Sequence, residues 1–325
     1  MKLLVTGGTG FFGKALLKLW HSLHKSGEGP AAVTVLTRSP ASFISRNPRF
    51  CGLPWLEFRE GDICNPDSLP RGERFTHILH AATDSTIGPS LSPLERFDQI
   101  VNGTRNLLDF AIESKCERFL LTSSGGVYGP QPASLERIPE TWCGMPDPLF
   151  PQNAYSVGKR VAEHLCALYF ERYELNVTVA RCFAFIGEDL PLDVHFAIGN
   201  FIRNALEGSE IRVQGDGTPI RSYLDQRDLA IWLTKILCDG APNRAYNVGS
   251  DVAISIRDLA ILVRDIVAPH KDVKILREQE SNVARNRYVP DIQRARQELG
   301  LDVTIPLETA IKNVAEAVHA STSGG

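Results

Sequence analysis

The sequence has little that would build a disulfide framework or a zinc site. Its 325 residues include seven cysteines, an odd number, and no two of them form a Cys-x-x-Cys pair. Secreted disulfide scaffolds and cysteine-built zinc sites depend on paired cysteines at short spacing. We therefore expect reduced thiols that mostly serve as packing residues, and we expect no metal site.

Long apolar runs and an excess of one charge are also missing. No apolar stretch reaches the roughly 20 residues that a membrane-spanning helix needs, and a strand pattern that begins at residue 2 leaves no room for a signal peptide. Lysine and arginine together number 35 against 38 aspartates and glutamates, which gives a net charge of -3. We expect a cytoplasmic protein that binds a small molecule and has no nucleic-acid or membrane partner.

A glycine-rich loop near the N-terminus stands between an apolar run at residues 3–6 and an amphipathic helical pattern that reaches about residue 24. The loop is Gly7-Gly8-Thr9-Gly10-Phe11-Phe12-Gly13. Three of its glycines have the spacing G-x-x-G-x-x-G. In such a loop the first, Gly7, makes a tight turn, the middle one, Gly10, lets the backbone approach a pyrophosphate, and the third, Gly13, allows close helix packing. The helix N-terminus adds unpaired N–H groups for the phosphates. A nucleotide cofactor is therefore expected.

Strand and helix patterns alternate through the first half of the chain. The predicted strands cover residues 32–37, 55–59, 77–82, 118–122 and 176–181, and β-branched runs among them indicate buried parallel strands. Beyond residue 182 the pattern becomes irregular, with short strands. We therefore expect a Rossmann-type, doubly wound α/β domain in residues 1–182. A smaller mixed α/β lobe in residues 183–325 would bind the substrate, and one of its strands or helices can cross back to the first domain.

Two residues at strand ends bear on the cofactor. The second strand ends at Arg38, where this kind of fold often has an acidic residue on the adenosine ribose. An arginine there can instead pair with a 2′-phosphate, which favours NADP over NAD. The alternative is a surface arginine that merely covers the adenine. His80 ends a buried strand without an acidic residue nearby in sequence, so we interpret it as a packed, cofactor-lining side chain and not as a base.

Three side chains are candidates for the chemistry. Ser124 follows the fifth strand, at the edge where parallel sheets bind ligands. Tyr155 and Lys159 are four residues apart on a predicted helix, so the phenol and the ammonium project from the same face. A nearby cation favours the phenolate. Taken singly, each feature has a plain alternative, since serines often end strands and tyrosines and lysines often decorate helices.

In this order, the glycine loop, the strand-end serines and the tyrosine–lysine pair resemble the extended short-chain dehydrogenases/reductases, specifically their nucleotide-sugar epimerase/dehydratase branch. The resemblance covers nearly the whole chain and includes Gly61-Asp62-Ile63, Val127-Tyr128-Gly129, Arg221-Ser222-Tyr223 and Tyr246-Asn247-Val248-Gly249. It implies a Rossmann fold and a hydride exchange between a nicotinamide and a sugar carbon, usually C4, of a nucleotide diphosphate sugar.

The resemblance also implies roles for individual residues. Tyr155 would be the acid/base, with its pKa lowered by Lys159 and by the oxidised nicotinamide ring, and Lys159 would hold the nicotinamide ribose. Ser124 would hydrogen-bond the reacting oxygen. Further cofactor contacts would come from Gly7, Gly10, Phe11, Phe12, Gly13, Arg38, Asp62, Ile63, Ala81, Ala82 and Asn102, and further substrate contacts from Asn200, Arg221 and Arg285.

Two departures from the family pattern narrow the reaction. Sugar 4,6-dehydratases have an acidic pair just after the catalytic hydroxyl, whereas this chain has Gly125-Gly126, so dehydration loses its proton donors. Ala184 stands where many members have an asparagine that reaches the substrate. The resemblance therefore implies a 4-epimerase or a 4-ketoreductase that uses NAD or NADP. The alternatives are a reductase of a non-nucleotide carbonyl compound and a non-catalytic NADP sensor. Because the family usually pairs the helices at 94–114 and 155–173, a homodimer is expected.

Overall fold

The computed structural model describes residues 1–83, 91–194, 196–277 and 286–323. The strands of this part of the chain are β1 (Lys2–Thr6), β2 (Ala32–Thr37), β3 (Leu56–Glu60), β4 (His77–His80), β5 (Arg118–Ser124), β6 (Val177–Cys182), β7 (Phe185–Ile186), β8 (Ile211–Val213), β9 (Ile220–Arg221), β10 (Leu224–Asp225), β11 (Arg244–Val248), β12 (Ile254–Ser255), β13 (Val273–Ile275) and β14 (Arg287–Tyr288). The helices are α1 (Phe11–Lys25), α2 (Pro40–Arg46), α3 (Pro93–Glu113), α4 (Ala154–Tyr173), α5 (Ala197–Glu207), α6 (Gln226–Asp239), α7 (Ile256–Val267), α8 (Gln293–Leu299) and α9 (Leu307–Ser323).

Seven parallel strands form the central sheet, in the order β11-β6-β5-β4-β1-β2-β3. The inner strands are buried along most of their length because both faces of the sheet are covered by helices. Leu3, Leu4, Ile78 and Leu79, for example, have no exposed surface. The sheet confirms the predicted Rossmann-type, doubly wound α/β architecture.

Alternate side chains of the strands divide the core between the two faces of the sheet. Leu3 and Leu79 belong to the same apolar cluster as Trp20 of α1 and Trp232 of α6. Leu4 lies in the cluster on the opposite face, with residues of α3 and α4. Helix α3 begins at a capping box in which Ser92 and Glu95 satisfy each other's backbone N–H groups. The carboxyl ends of the strands, where cofactor and substrate chemistry is expected, thus lie between two helix layers.

The second half of the chain contributes both to the central sheet and to smaller sheets. Strand β11 pairs in parallel with β6, with Tyr246 opposite Ala180, and α6 packs against α1. Strand β9 pairs antiparallel with β12 and parallel with β14, which sets Arg221 opposite Tyr288. The pairs β7–β10 and β8–β13 are parallel. The division into a cofactor domain and a substrate lobe at residues 182 and 183 stays a prediction.

The largest differences from the predicted elements lie in short segments. The strand predicted at 77–82 ends at His80. The Ala81 N–H still donates to the carbonyl of Thr6, but beyond it the chain leaves the sheet beside Gly7. Helix α2 begins at Pro40, directly after Ser39, and was not predicted. Two-residue strands such as β14 show no periodicity for a sequence pattern to reveal. No helix within the described residues is long and apolar enough to span a membrane.

Candidate active site

The glycine loop lies against the end of β4. Gly7 has a φ of +74°, a left-handed conformation, and a Cβ atom there would lie 2.4 Å from the carbonyl of Ala81. Its own carbonyl accepts the N–H of Gly10 at 3.1 Å. A Cβ on Gly13 would lie 2.1 Å from the backbone of Gly8. Only glycine fits at these two places, and the resulting tight turn carries the chain directly into α1.

The N-terminus of α1 faces open space. Gly10 is the N-cap and offers no side-chain cap, and the first turn contains no acidic residue. Among the described residues, a Cβ on Gly10 would have only the carbonyl oxygen of Gly7 near it, at 3.5 Å. Free N–H groups at an uncapped helix N-terminus suit a pyrophosphate. The loop therefore fits the dinucleotide that the sequence predicts, whereas direct contact of Gly10 with a cofactor stays a prediction.

Two phenylalanines follow the loop and join it to the second half of the chain. The ring of Phe12 meets that of Phe185 edge to face at 5.2 Å, and the ring of Phe11 lies 6.5 Å from Phe185. Phe11 is buried. These contacts pack α1 against β7. Direct contact of either ring with a cofactor stays a prediction.

Four of the predicted cofactor residues come together beyond β2 and β3. Asp62 Oδ1 accepts the N–H of Cys64 at 2.9 Å, and Ile63 is buried where a Cβ on Gly103 would touch it at 2.6 Å. Asn102 is exposed and borders a cavity of about 310 Å³ together with Cys64. Arg38 is exposed at the end of β2 and carries its charge close enough to lower the pKa of Cys64, although burial raises that pKa overall.

His80 is 2% exposed and is bonded through both ring nitrogens. Nδ1 lies 2.8 Å from Thr6 Oγ1, and Nε2 lies 3.2 Å from Thr104 Oγ1. Burial, aided by the charge of Lys159, lowers its pKa to about 3. The ring is therefore neutral and packed between β1 and α3, which agrees with the interpretation that His80 is no base. Its contact with a cofactor stays a prediction.

Lys159 is 2% exposed and reaches the ends of two strands from α4. Its Nζ donates to the carbonyl of Thr122 and to Thr83 Oγ1, both at 2.7 Å, and lies 6.0 Å from the centre of the Tyr155 ring. Burial lowers the pKa of Lys159 to about 8. Thr83 comes two residues after Ala81 and was not predicted, because a single threonine in a loop has no sequence signal.

Tyr155 on α4 and Ser124 at the end of β5 lie close to each other. Burial raises the pKa of Tyr155 to about 12, while hydrogen bonding to Ser124 and the positive charge of Arg96 on α3 act to lower it. This net direction is opposite to the fall that the resemblance implies. The physical reason is that desolvation outweighs the nearby groups, and the Lys159 ammonium is directed at Thr122 and Thr83. The implied fall therefore depends on a charge from the cofactor.

Ser124 is the point where the predicted residues meet an unpredicted one. It is 9% exposed, and its Oγ accepts the N–H of Gly126 at 3.1 Å. It is also close enough to the phenol of Tyr288 to act against the rise in pKa that burial causes there. The structure therefore brings Ser124 and Tyr155 together on the carboxyl edge of the sheet and adds Tyr288 as a second phenol.

Tyr288 owes its position to Gly125 and to the β14–β9 pair. A Cβ on Gly125 would lie 2.6 Å from the Tyr288 hydroxyl. The Tyr288 ring packs on Phe183 with centroids 4.6 Å apart, and its hydroxyl donates to the carbonyl of Cys182 at 3.4 Å. Sequence reasoning missed Tyr288 because its strand has only two residues. The glycine pair after Ser124 was noticed, but nothing in the sequence shows which side chain uses the space.

The predicted substrate residues lie in different places. Arg221, paired opposite Tyr288, donates through Nη1 to the carbonyls of Ile220 (2.8 Å) and Asn286 (3.1 Å), and burial lowers its pKa. Asn200 instead uses its amide to bond the carbonyls of Val194 and Phe196 at the start of α5, and it borders a cavity of about 490 Å³. Arg285 lies outside the described residues. The cavity is lined by Ala197, Asn200, Phe201, Arg203, Asn204, Arg212, Val213, Gln214, Gly215 and Ile256.

The chain is similar to known proteins in sequence and in fold. The chain is 29% identical over 311 residues to UDP-glucuronic acid decarboxylase 3 of Arabidopsis thaliana, a match that covers 96% of this chain and 87% of that protein. In fold it is similar to UDP-glucose 4-epimerase of Thermotoga maritima, solved with UDP-glucose (TM-score 0.82, 22% identity, 99% and 100% of the two chains). It is also similar to the dTDP-glucose 4,6-dehydratase DesIV of Streptomyces venezuelae, solved with NAD (TM-score 0.84, 22% identity, 100% and 98%).

The family model for the "NAD dependent epimerase/dehydratase family" matches residues 3–249. That range begins in β1, includes the glycine loop, Ser124, Tyr155 and Lys159, and ends just after β11. The resemblance inferred from the motifs is thereby confirmed. The chain belongs to the NAD-dependent epimerase/dehydratase family of nucleotide-sugar enzymes, within the extended short-chain dehydrogenases/reductases.

Proposed function

We propose that this enzyme moves a hydride reversibly between a nicotinamide cofactor and C4 of a nucleotide diphosphate sugar, as a 4-epimerase or a 4-ketoreductase. The observation that carries the proposal is the grouping of Tyr155, Lys159 and Ser124 at the carboxyl edge of the sheet. Lys159 Nζ lies 6.0 Å from the centre of the Tyr155 ring and donates at 2.7 Å to the carbonyl of Thr122, two residues before Ser124, and Ser124 is close enough to Tyr155 to act on its pKa. The uncapped N-terminus of α1, which suits a pyrophosphate, belongs to the glycine loop that leads from the same edge of the sheet.

The side chains supply proton transfer and orientation. When bound, the nicotinamide would supply the hydride acceptor for the sugar carbon and the hydride donor for the return step. Tyr155 takes the proton of the sugar hydroxyl and gives it back when the ketone is reduced, and Ser124 hydrogen-bonds the same oxygen throughout. Lys159 supplies positive charge beside the phenol and a donor for the nicotinamide ribose. Because the raised pKa of Tyr155 disfavours proton removal, a further positive charge from the cofactor is part of this mechanism.

The surroundings of Gly125 support a reaction without loss of water. An elimination between C5 and C6 needs a base for the C5 proton and an acid for the leaving hydroxyl, and neither Gly125 nor Gly126 has a side chain to act as either. The Tyr288 hydroxyl occupies the space beside Gly125, and its raised pKa keeps it protonated. A neutral phenol is a poor base for removing the C5 proton. This supports oxidation and reduction at C4 as the complete chemistry.

Decarboxylation of a nucleotide-linked uronic acid is a second candidate, and the similarity to UDP-glucuronic acid decarboxylase 3 favours it. Its first step is the same oxidation at C4. A ketone at C4 stands in the β position to a C6 carboxylate, and such β-keto acids lose carbon dioxide readily. Tyr155, Lys159 and Ser124 would keep their proposed roles. Release of carbon dioxide from UDP-glucuronic acid separates this candidate from epimerisation.

For the cofactor we propose NADP in preference to NAD. Arg38 is exposed at the end of β2, close to the Asp62–Cys64 turn. A guanidinium can bond two oxygens of a 2′-phosphate, and it has no comparable partner on the plain ribose of NAD.

We also propose a homodimer built through α3 and α4. The two helices pack side by side, and α4 leaves Leu168 44% exposed on its outer surface. Gel filtration with light scattering should give twice the mass of the chain, and Leu168→Glu should reduce it to one. A wild-type protein that is monomeric at all concentrations tested would remove this part of the proposal.

A ligand panel tests the proposed function. UDP-, dTDP-, CDP- and GDP-sugars are added singly, with NAD or NADP present, and the melting temperature is recorded, since binding to the folded state stabilises it. The pairs that raise it are then assayed for epimer, reduced sugar and carbon dioxide. We expect at least one nucleotide sugar to be bound and converted at C4. Binding of free carbonyl compounds with no effect of any nucleotide sugar would indicate the reductase alternative, and binding without turnover would indicate the sensor.

A further inference from the structure

Glu163 extends the row that Tyr155 and Lys159 form on α4. The three residues are spaced by four, so they lie along one face of the helix. Each is close to a different one of the last three residues of β5. Tyr155 interacts with Ser124, Lys159 donates to the carbonyl of Thr122, and the Glu163 carboxylate accepts a 2.5 Å hydrogen bond from Ser123 Oγ. The strand end is thus held at three consecutive residues by three consecutive helical turns.

The carboxylate of Glu163 is fully engaged and mostly buried. Arg181 on β6 donates to it from Nη2 at 2.7 Å and from Nε at 3.1 Å, and Ser123 Oγ donates the third hydrogen bond. The two charged side chains are 13% and 17% exposed, Glu163 first. A buried ion pair of this kind adds little net stability over an apolar pair of similar size. Its presence beside the catalytic row therefore calls for another explanation.

The same network reaches the second half of the chain. Arg181 Nη1 donates to the Tyr128 hydroxyl at 2.9 Å, and that hydroxyl donates to Asn247 Oδ1 at 2.7 Å. The Asn247 amide donates to the carbonyl of Asp291 at 2.9 Å. Asp291 follows Tyr288 by three residues. An unbroken path of hydrogen bonds thus leads from Glu163 to the segment that places the second phenol beside Ser124.

The charge of Glu163 also acts on Lys159. The titratable groups around the Lys159 ammonium are Tyr155, Glu163 and Cys166 on α4, His80 on β4 and Cys182 on β6. His80 is neutral because its pKa is lowered, and the thiols and the phenol are neutral because burial raises theirs. Among the described residues in this group, Glu163 carries the negative charge that opposes the desolvation of Lys159. Arg181 offsets part of it from the far side.

Resting on the proposed function, we propose that Glu163 is a positioning residue of the active site. Held by Arg181, it fixes the end of β5 through Ser123, so that Ser124 faces Tyr155, and its charge keeps the neighbouring Lys159 in the ammonium form. Neither Glu163 nor Arg181 needs to touch cofactor or substrate for this. The row on α4 is therefore a unit of three residues, in which the third acts through the other two.

The direct test is the titration of Lys159 in the free protein, measured by NMR of lysine labelled with carbon-13 at Cε and assigned with Lys159→Arg. Glu163→Gln keeps the size of the side chain and removes its charge. We expect the Lys159 midpoint to fall by about 0.5 to 1 pH unit relative to wild type. Glu171→Gln, which removes an exposed carboxylate two turns further along the same helix, should leave it unchanged. An unchanged midpoint in Glu163→Gln would overturn the proposal.

Two further variants keep the test informative if Glu163→Gln folds poorly. Arg181→Gln leaves the Glu163 charge uncompensated, so the Lys159 midpoint should rise instead of fall. A purely structural role predicts no such opposite shifts. Ser123→Ala removes one hydroxyl, and we expect kcat to fall about tenfold with little change in the Kd of the cofactor. Equal kcat in Ser123→Ala and wild type would contradict the positioning role.

The NMR measurement needs no substrate, so the two proposals fail separately. Opposite shifts of Lys159 in Glu163→Gln and Arg181→Gln, together with no turnover of any nucleotide sugar by wild type, would leave the charge role of Glu163 standing and remove the proposed function. Turnover at C4, with a Lys159 midpoint that is the same in Glu163→Gln and wild type, would keep the proposed function and remove the role of Glu163.

Discussion

The hydroxyl of Tyr288 lies 2.6 Å from the position that a Cβ atom would take on Gly125. A real Cβ never comes that close to an oxygen, so the glycine and the phenol depend on each other. Phe183 narrows the same space, since its ring would lie 2.8 Å from that Cβ. Gly125 therefore does two things. It leaves the position after Ser124 without an acidic side chain, which disfavours dehydration, and it makes room for the phenol of Tyr288.

Gly125→Ala should therefore lower the free energy of unfolding by about 1–3 kcal/mol, the usual cost of inserting a methyl group into filled space. Gly215→Ala is the matched control, because no atom of the described part of the chain lies within 4 Å of a Cβ there. Urea denaturation measures both. Adding Tyr288→Phe to Gly125→Ala removes the atom that collides first, so part of the loss should return. Strict additivity of the two substitutions would show that the contact does not matter.

His80 makes the stability of the protein depend on pH below neutrality. Its folded pKa of about 3 lies well below the value of 6.5 for an unperturbed histidine. Between these values the unfolded chain binds the proton and the folded chain does not, so stability is lost as the pH falls. From pH 7 to pH 5 the loss from His80 is about 2 kcal/mol. His80→Gln should remove this part of the dependence in urea titrations at the two pH values, and equal pH dependence of variant and wild type would contradict the account.

Arg221 should bind the diphosphate of the nucleotide sugar. Its bonds to the backbone of Ile220 and Asn286 use Nη1, and it stands opposite Tyr288 in the small sheet. We expect Arg221→Gln to weaken nucleotide-sugar binding about 10- to 100-fold, the value of a charged hydrogen bond, and to leave cofactor binding unchanged. Isothermal titration measures both. Arg264→Gln, on the outer surface of α7, should change neither, and an Arg221 variant with normal nucleotide-sugar affinity would remove this residue from the site.

Arg38 should select between the two cofactors. We expect Arg38→Ala to raise the KM for NADPH about 10- to 100-fold and to leave that for NADH nearly unchanged, because only the former has a 2′-phosphate to bind. Arg74→Ala, an exposed arginine far along the chain from β2, serves as the control. Steady-state kinetics with both cofactors decide the matter. A similar change for both would show that Arg38 covers the adenine without choosing a cofactor.

The sequence was sufficient for the central sheet and for the group around Ser124. Long buried strands such as β5 and the amphipathic helix α1 have periodicities that do not depend on distant contacts. The strand-end position of Ser124 and the four-residue spacing of Tyr155 and Lys159 are local as well. These features could therefore be predicted before the fold was known, and the structure brings the three residues together.

The features that the sequence could not predict depend on contacts between distant segments. Tyr288 reaches Ser124 only because two-residue strands pair and because Gly125 leaves room. Thr83 and Glu163 show their partners only when α4 is laid across the ends of β4 and β5. Asn200 was grouped with Arg221, but its amide bonds backbone carbonyls at the start of α5. The rise in the pKa of Tyr155 was missed for the same reason, because burial cannot be judged from spacing.

The central claim is that Tyr155 governs a hydride exchange between the nicotinamide and C4 of a nucleotide sugar. The most direct measurement mixes the enzyme, loaded with one equivalent of oxidised cofactor, with a nucleotide sugar from the panel, and follows the near-ultraviolet absorbance of reduced nicotinamide in a single turnover. We predict that the absorbance appears with wild type and that its rate falls about 10²- to 10⁴-fold in Tyr155→Phe, with cofactor affinity unchanged. Equal rates in the two proteins would contradict the account. So would the absence of reduced nicotinamide with every nucleotide sugar of the panel, whether C4 carries hydrogen or deuterium.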